Sequence, residues 1–189
     1  MRNAQIRAGG LGELELGMPH RPIAIANEFV RQFGDANDLS HLKLQKLTYF
    51  AQGYWLAGRG EELVTERPQV WRYGPVFKSL YHILSGRGSS PIRQPTGANP
   101  FGEGTPPTLE APAFQAERQL VEWVWAEYGN LTGPQLSDMT HALGTPWRKI
   151  AEERKFKVPL DFEIPEDLDW NYFAELASER DITPVPIHG

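Results

Sequence analysis

Four residues in one short stretch, Ser137, Asp138, Thr140 and His141, bring a hydroxyl, a carboxylate and an imidazole together. Those are the groups of a nucleophilic triad. A triad needs nucleophile, base and orienting acid to converge on one point. Neighbours on a helical turn instead diverge by about 100° per residue. Only Ser137 and His141, four apart, share a face where they can hydrogen-bond. Packing or capping is the ordinary use of such residues; a binding role ranks next and catalysis last.

Other chemistry is weaker still. Gly86-Arg87-Gly88-Ser89-Ser90 is rich in glycine but lacks the order of a phosphate-binding loop, and no strand precedes it. Histidines 20, 41, 82, 141 and 188 show no metal-ligand spacing, and the absence of cysteine removes thiolate chemistry and disulfides. The adjacent pairs Glu61-Glu62 and Glu152-Glu153 diverge on a helix, so they read as solvated surface. The expectation is no metal, no cofactor and no enzyme. A different signal comes from Trp71, Tyr73 and Trp147 beside Arg72, Lys78 and Arg148. Aromatics next to cations make a protein-binding hot spot, a stacking platform for nucleic acid, or simply a core with a charged rim.

Those residues must be positioned by a largely helical chain. Residues 39–56 carry the clearest helical signal, with Leu39, Leu42, Leu47, Phe50, Ala51, Tyr54 and Trp55 at three- and four-residue steps. Leu44 and Leu56 widen the apolar surface, so this helix is expected at the centre, packed on several sides. Ser40 is its cap. Gly53, costly inside a helix, points to close approach of a neighbour. Lys43, Gln45, Lys46, Thr48 and Gln52 fill the gaps.

Further helices are expected over residues 22–33, 75–84, 113–128, 132–141, from Pro146 to about 154, and 165–178. Thr132 caps the fourth of these six, and Leu168, Tyr172, Phe173 and Leu176 face inward on the last. Residues 61–72 read as one or two short extended pieces, with a sharp corner at Tyr73-Gly74-Pro75-Val76. The predicted fold is mainly α: one helical domain of six to seven helices with a minor β element, over residues 21–180. Residues 85–112 hold so many glycines and prolines that a long loop is predicted, either a functional arm or a mobile insertion. Residues 1–20 read as a flexible tail, with the folded part effectively beginning near Met18, and 181–189 as a C-terminal tail.

The formal net charge of -5 disfavours a large nucleic-acid footprint. No apolar run approaches the roughly 20 residues of a spanning helix, and the first residues lack the apolar block of a signal peptide. A cytoplasmic protein without membrane contact is the expectation.

Three stretches carry a family resemblance. Leu44-Gln45-Lys46-Leu47 through Tyr49-Phe50-Ala51-Gln52 resembles the first signature of Panacea domains, also called SocA-like or GepA-like phage-associated domains. Tyr73-Gly74-Pro75-Val76, after the aromatic piece at Val70-Trp71, resembles the second. Ser137, Thr140, His141, Pro146 and Trp147 match the third. The three stand in the family's order. The resemblance implies an antitoxin of a bacterial or phage toxin–antitoxin pair, neutralising its toxin by direct binding. It also implies, for SocA-like members, a proteolytic adaptor that delivers the toxin to the ClpXP protease. A DNA-binding autoregulator is the first alternative and a hydrolase the second.

Such an antitoxin needs a surface that covers the toxin, with stable interfaces burying about 1,200–2,000 Å² around a few anchors. Trp71, Arg72, Tyr73 and Lys78 are the leading anchor candidates because they sit at a turn. Lys43 and Lys46 are the second rank. The gap residues Lys43, Lys46, Tyr49 and Gln52 are either supports for the 71–76 corner or part of the partner surface, with support favoured. The 85–112 loop is a candidate to fold on binding.

Overall fold

The structure, a computed structural model, describes residues 18–36, 38–99 and 103–180. The two tails expected at the ends therefore lie largely outside the described residues. Among the described residues the elements run α1 (Pro22–Phe33), α2 (His41–Arg59), β1 (Gln69–Trp71), β2 (Gly74–Val76), α3 (Lys78–Leu84), α4 (Gln115–Tyr128), α5 (Gly133–Thr140), α6 (Pro146–Glu153) and α7 (Glu166–Glu179). The chain is mainly helical with one two-stranded antiparallel sheet.

Helix α2 is the hub. It touches α1, α3, α4, α5, α7 and β2, and every residue from Lys43 to Leu56 is buried. Its start is fixed by the Ser40 hydroxyl, which accepts from the Lys43 N–H at 3.3 Å. Its end is Gly60, left-handed at φ 70°. Gly53 has the predicted reason: a Cβ there would overlap the ring of Phe173 on α7. Phe173 is itself fully buried and cannot swing aside. Gly53→Ala should therefore destabilise by about 1–3 kcal/mol despite the better helix propensity of Ala. Thermal melting checks this, and an unchanged midpoint would contradict the packing.

The short helices begin where the sequence says. Pro22 sits in the first turn of α1. Thr132 and Gln135 form a reciprocal capping box on α5, and Thr145 caps α6 ahead of Pro146. On α7 only Phe173 of the four expected inward residues is fully buried; Leu168, Tyr172 and Leu176 are half-buried.

One expectation is corrected. The helix predicted over residues 75–84 begins instead at Lys78, and Gly74-Pro75-Val76 is a strand. The pairing shows why proline is tolerated there. Trp71 faces Gly74 across a two-residue turn, and Val70 faces Pro75. The Val70 N–H points the other way, to Phe162 O at 2.8 Å. Val70 and Pro75 are thus a non-hydrogen-bonded pair, and the missing proline N–H costs the ladder nothing.

The 85–112 segment is a long loop, as predicted, and its described residues are fastened at several points. The Asn27 amide donates to Thr96 O and Pro107 O, both at 2.9 Å, and accepts from Thr96 N at 2.8 Å. Ile92 N–H donates to Leu39 O, and Arg118 reaches Leu109 O and Ala111 O. Ile92 and Leu109 are buried. One buried asparagine on α1 and one arginine on α4 thus replace regular structure.

Candidate functional site

The three sequence signatures meet at the β1–β2 hairpin. Helix α2 lies along the outer edge of β2 and acts on it as a third strand would. The Gln45 amide donates to Phe77 O at 3.1 Å and accepts from Phe77 N at 3.0 Å. Lys46 Nζ donates to Pro75 O at 2.7 Å. From α5, the Ser137 hydroxyl donates to Tyr73 O at 3.0 Å. From α6, Trp147 Nε1 donates to Trp71 O at 2.8 Å. The alternate carbonyls of residues 71, 73, 75 and 77 are each held by a side chain from the first or third signature. Buried backbone carbonyls need such partners, because leaving one unmade costs about 1–3 kcal/mol.

Gly74 is where these elements converge. Its φ is 96°, and a Cβ would meet Thr140 Oγ1 and, at 2.9 Å, Lys46 Nζ. Glycine is needed for both the dihedral and the space. Thr140 in turn donates to Ser137 O, and Thr145 donates to Thr140 O. The ring of His141 packs edge-on against Trp147 with centroids 3.9 Å apart. The Ser137 hydroxyl is engaged with a carbonyl, and Ser137 is buried. The nucleophile–base pairing that a hydrolase would require is not formed in this arrangement.

The remaining polar residues of α2 do similar work. Gln52 Oε1 accepts from Leu63 N and Val64 N at 2.9 and 3.0 Å. Lys43 Nζ bonds Asp38 and donates to Gly129 O at 2.6 Å, with Trp125 beneath it. Tyr49 donates to Asp169 at 2.6 Å. Lys43 and Lys46, expected in second rank as partner anchors, are fully buried. Neither can present its side chain on the surface, because both side chains are spent on the backbone inside. Their position is that of supports.

Burial perturbs two of these groups strongly. It lowers Lys46 to about 7, with no carboxylate against the ammonium among the described residues. It raises Asp169 to about 7, a rise opposed by the Tyr49 hydrogen bond and by Arg67. His41 and His141 are both lowered, first by burial and then by Lys46. For Asp169 the folded value stands above the usual 3.8. Its contribution to stability is therefore full below that value and is lost as pH rises through about 7. Asp169→Asn should gain on the native protein across that window and then hold a constant difference above it. Denaturant melts across the window check this; a flat difference would contradict it. Sequence reading missed Asp169, which sits one position from the apolar stripe of α7 and carries no motif.

The leading anchor candidates are placed as follows. Arg72 and Tyr73 form the turn and are exposed, Tyr73 by 60%. The Arg72 guanidinium lies 5.4 Å from the Tyr73 ring centroid. Trp71 is half-buried, packed on Tyr81 and bonded through its indole to Gln69. Lys78 is half-buried, with its charge engaged by Asp161 at 2.7 Å. The hairpin tip thus presents one cation and one aromatic, and Trp71 and Lys78 stand behind them. A cavity of about 370 Å³ opens beside the tip, lined by His41, Leu42, Tyr73, Val76 and Tyr81 among others. No helix among the described residues is long and apolar enough to cross a membrane.

Comparison with known proteins gives this arrangement a context. A family model described as "Antitoxin SocA-like, Panacea domain" matches residues 44–148, from α2 to α6. The chain is 33% identical over 113 residues to Antitoxin SocA of Caulobacter vibrioides (strain NA1000 / CB15N), and this covers 60% of the chain and 60% of that relative's length. No solved structure matches the chain. The matched span opens at Leu44 and closes at Arg148, so it takes in the hairpin and every side chain that clamps its four alternate carbonyls. This protein belongs to the SocA-like antitoxin, Panacea-domain family.

Proposed function

We propose that this protein is an antitoxin that neutralises a cognate toxin by binding it directly, with the hairpin tip at Arg72 and Tyr73 as the anchor. The observation that carries the reading is the use of two family signatures to immobilise the third. Side chains from α2, α5 and α6 hold four alternate carbonyls of the hairpin. The only side chains of the turn itself are left in solvent. A rigid turn bearing Arg and Tyr suits protein recognition, because those residues dominate interface energetics and pre-ordering lowers the entropy cost of association.

The test is co-expression with the product of the reading frame beside its gene. Growth arrest by that product alone and growth in the presence of this protein support the reading. Arrest in both cases, with no co-purification, contradicts it for that pair. Repeating the rescue in cells without ClpX separates occlusion from delivery to ClpXP. Rescue that persists there identifies occlusion, and rescue that vanishes identifies the adaptor route.

A further inference from the structure

The cavity beside the hairpin tip has the make-up of a small-molecule site. Its volume, about 370 Å³, falls within the range of such pockets, which are mostly apolar with a few polar groups. Leu42 from α2 and Val76 from β2 give it aliphatic surface. Trp71, Tyr73 and Tyr81 give it aromatic rings. Two of those rings brace each other, Tyr81 lying 4.7 Å from Trp71 between centroids, and His41 stands 5.1 Å from Tyr81 on the other flank. Rings pack best against another ring, edge to face or offset, so this wall favours a flat aromatic occupant.

The polar groups of the lining decide the occupant's charge. Arg72 is the one permanent cation there, and the lining contains no carboxylate. The Arg72 guanidinium lies 5.4 Å from the Tyr73 ring centroid. Tyr73 lines this cavity and neither of the clefts that Arg72 borders toward residues 147–161, which puts the charge on the cavity's side of the tip. Arg72 has no carboxylate partner among the described residues. His41 is held below its ordinary value, first by burial and then by Lys46, so it adds no charge near neutral pH.

The hydrogen-bonding inventory points the same way. Both ends of the Gln45 amide are engaged by Phe77, and the Trp71 indole N–H is engaged by Gln69. The guanidinium of Arg72 and the hydroxyls of Tyr73 and Tyr81 make no hydrogen bond among the described residues. The groups left over are therefore donors gathered around a ring-lined space. They suit an anionic oxygen, and a cation there would meet Arg72 with no acid to offset it. One guanidinium matches one carboxylate in its fork geometry, whereas a phosphate dianion would bring a second charge that no lining residue meets.

We propose that this cavity binds a small aromatic monocarboxylate, its ring among Trp71, Tyr73 and Tyr81 and its carboxylate on Arg72. The site itself needs no toxin. On the antitoxin reading, and resting on it, the ligand shares Arg72 and Tyr73 with the toxin and competes with it for the hairpin tip.

The test titrates the full chain with phenylacetate, its neutral isostere phenylacetamide and the cation phenethylamine, followed by NMR. Phenylacetate should bind saturably and at least about tenfold more tightly than the amide, the difference expected of a hydrogen bond to a charged group. Phenethylamine should not bind. Arg72 is exposed, so Arg72→Gln should keep its melting midpoint, bring phenylacetate down to the affinity of the amide and leave the amide unchanged. Overhauser contacts should join the phenyl ring to the methyls of Leu42 and Val76. Equal affinity for acid and amide, preference for the amine, full affinity in Arg72→Gln, contacts to Ala151 and Val158 instead, or no saturable binding overturns the proposal. Competition is read on the co-purified toxin pair. Saturating phenylacetate should release the toxin and phenylacetamide should not; a pair that holds with phenylacetate bound overturns the competition. The titration contains no toxin, so its failure leaves the antitoxin reading standing, and failed growth rescue by wild type sinks that reading whatever the titration shows.

Discussion

Arg72→Glu combined with Tyr73→Ala is expected to abolish growth rescue while leaving the melting midpoint close to that of the native protein. Both side chains project from the turn into solvent, and no hydrogen bond or ion pair of the hairpin clamp uses them. The four carbonyl contacts come from Gln45, Lys46, Ser137 and Trp147, all outside the double substitution. Surface changes away from such features usually alter stability by less than about 0.5 kcal/mol. At an interface the same positions behave differently. An anchor buried on binding is worth about 2 kcal/mol or more, so two together weaken affinity by about a thousandfold if they act independently. The measurement is rescue and co-purification beside a thermal melt. Retained rescue places the toxin elsewhere on the surface, and a collapsed melt makes the hairpin tip structural.

Lys46→Ala is expected to do the reverse. It removes the donor to Pro75 O and opens a cavity in the fully buried centre of α2. The cost is about 2–5 kcal/mol where Lys46 is neutral. The sign of its pH dependence follows from burial. The folded value, about 7, lies below the ordinary 10.5. Below about 7 the native protein carries an unpaired buried ammonium, and that penalty is relieved as pH rises toward 10.5. The substitution therefore costs least in mild acid and progressively more between those two values. Denaturant melts of both proteins across that range measure it. A difference independent of pH would mean that the ammonium is solvated, and unchanged stability with lost toxin binding would return Lys46 to the partner surface.

Much of this architecture is legible in the sequence because it is local. Ser40, Thr132 and Thr145 announce helix starts through the hydroxyl each places before a first turn, and Gly60 marks an end. Gly53 signals close packing because nothing else justifies a glycine inside so apolar a helix. What depends on partners distant in sequence is hidden. Gly74-Pro75 has the local look of a helix opening, and only the pairing of Trp71 with Gly74 and the edge supplied by Gln45 and Lys46 makes it a strand. Likewise nothing in residues 85–112 reveals that Asn27, on α1, will hold Thr96 and Pro107.

The candidate site divides along the same line. The exposed pair Arg72 and Tyr73 follows from their place in a turn. The lysines are less legible: the sequence leaves Lys43 and Lys46 between supports and partner surface, with support favoured, and the carbonyls of Gly129 and Pro75 that take them lie far off in the chain. Phe156 and Leu160 escaped notice because isolated apolar residues in a charged segment carry no period. Both stand exposed in a segment where Lys155, Phe156 and Asp161 have positive φ, which the sequence does not advertise.

The central claim is that the hairpin tip meets the toxin. Site-specific photo-cross-linking tests it most directly, with Tyr73 replaced by benzoylphenylalanine in one protein and Trp170, exposed on α7, replaced in another. Co-expressed with the product of the neighbouring reading frame and irradiated, the protein labelled at position 73 should form a covalent adduct with that product, and the protein labelled at position 170 should not. An adduct from position 170 alone, with none from position 73, would contradict the account.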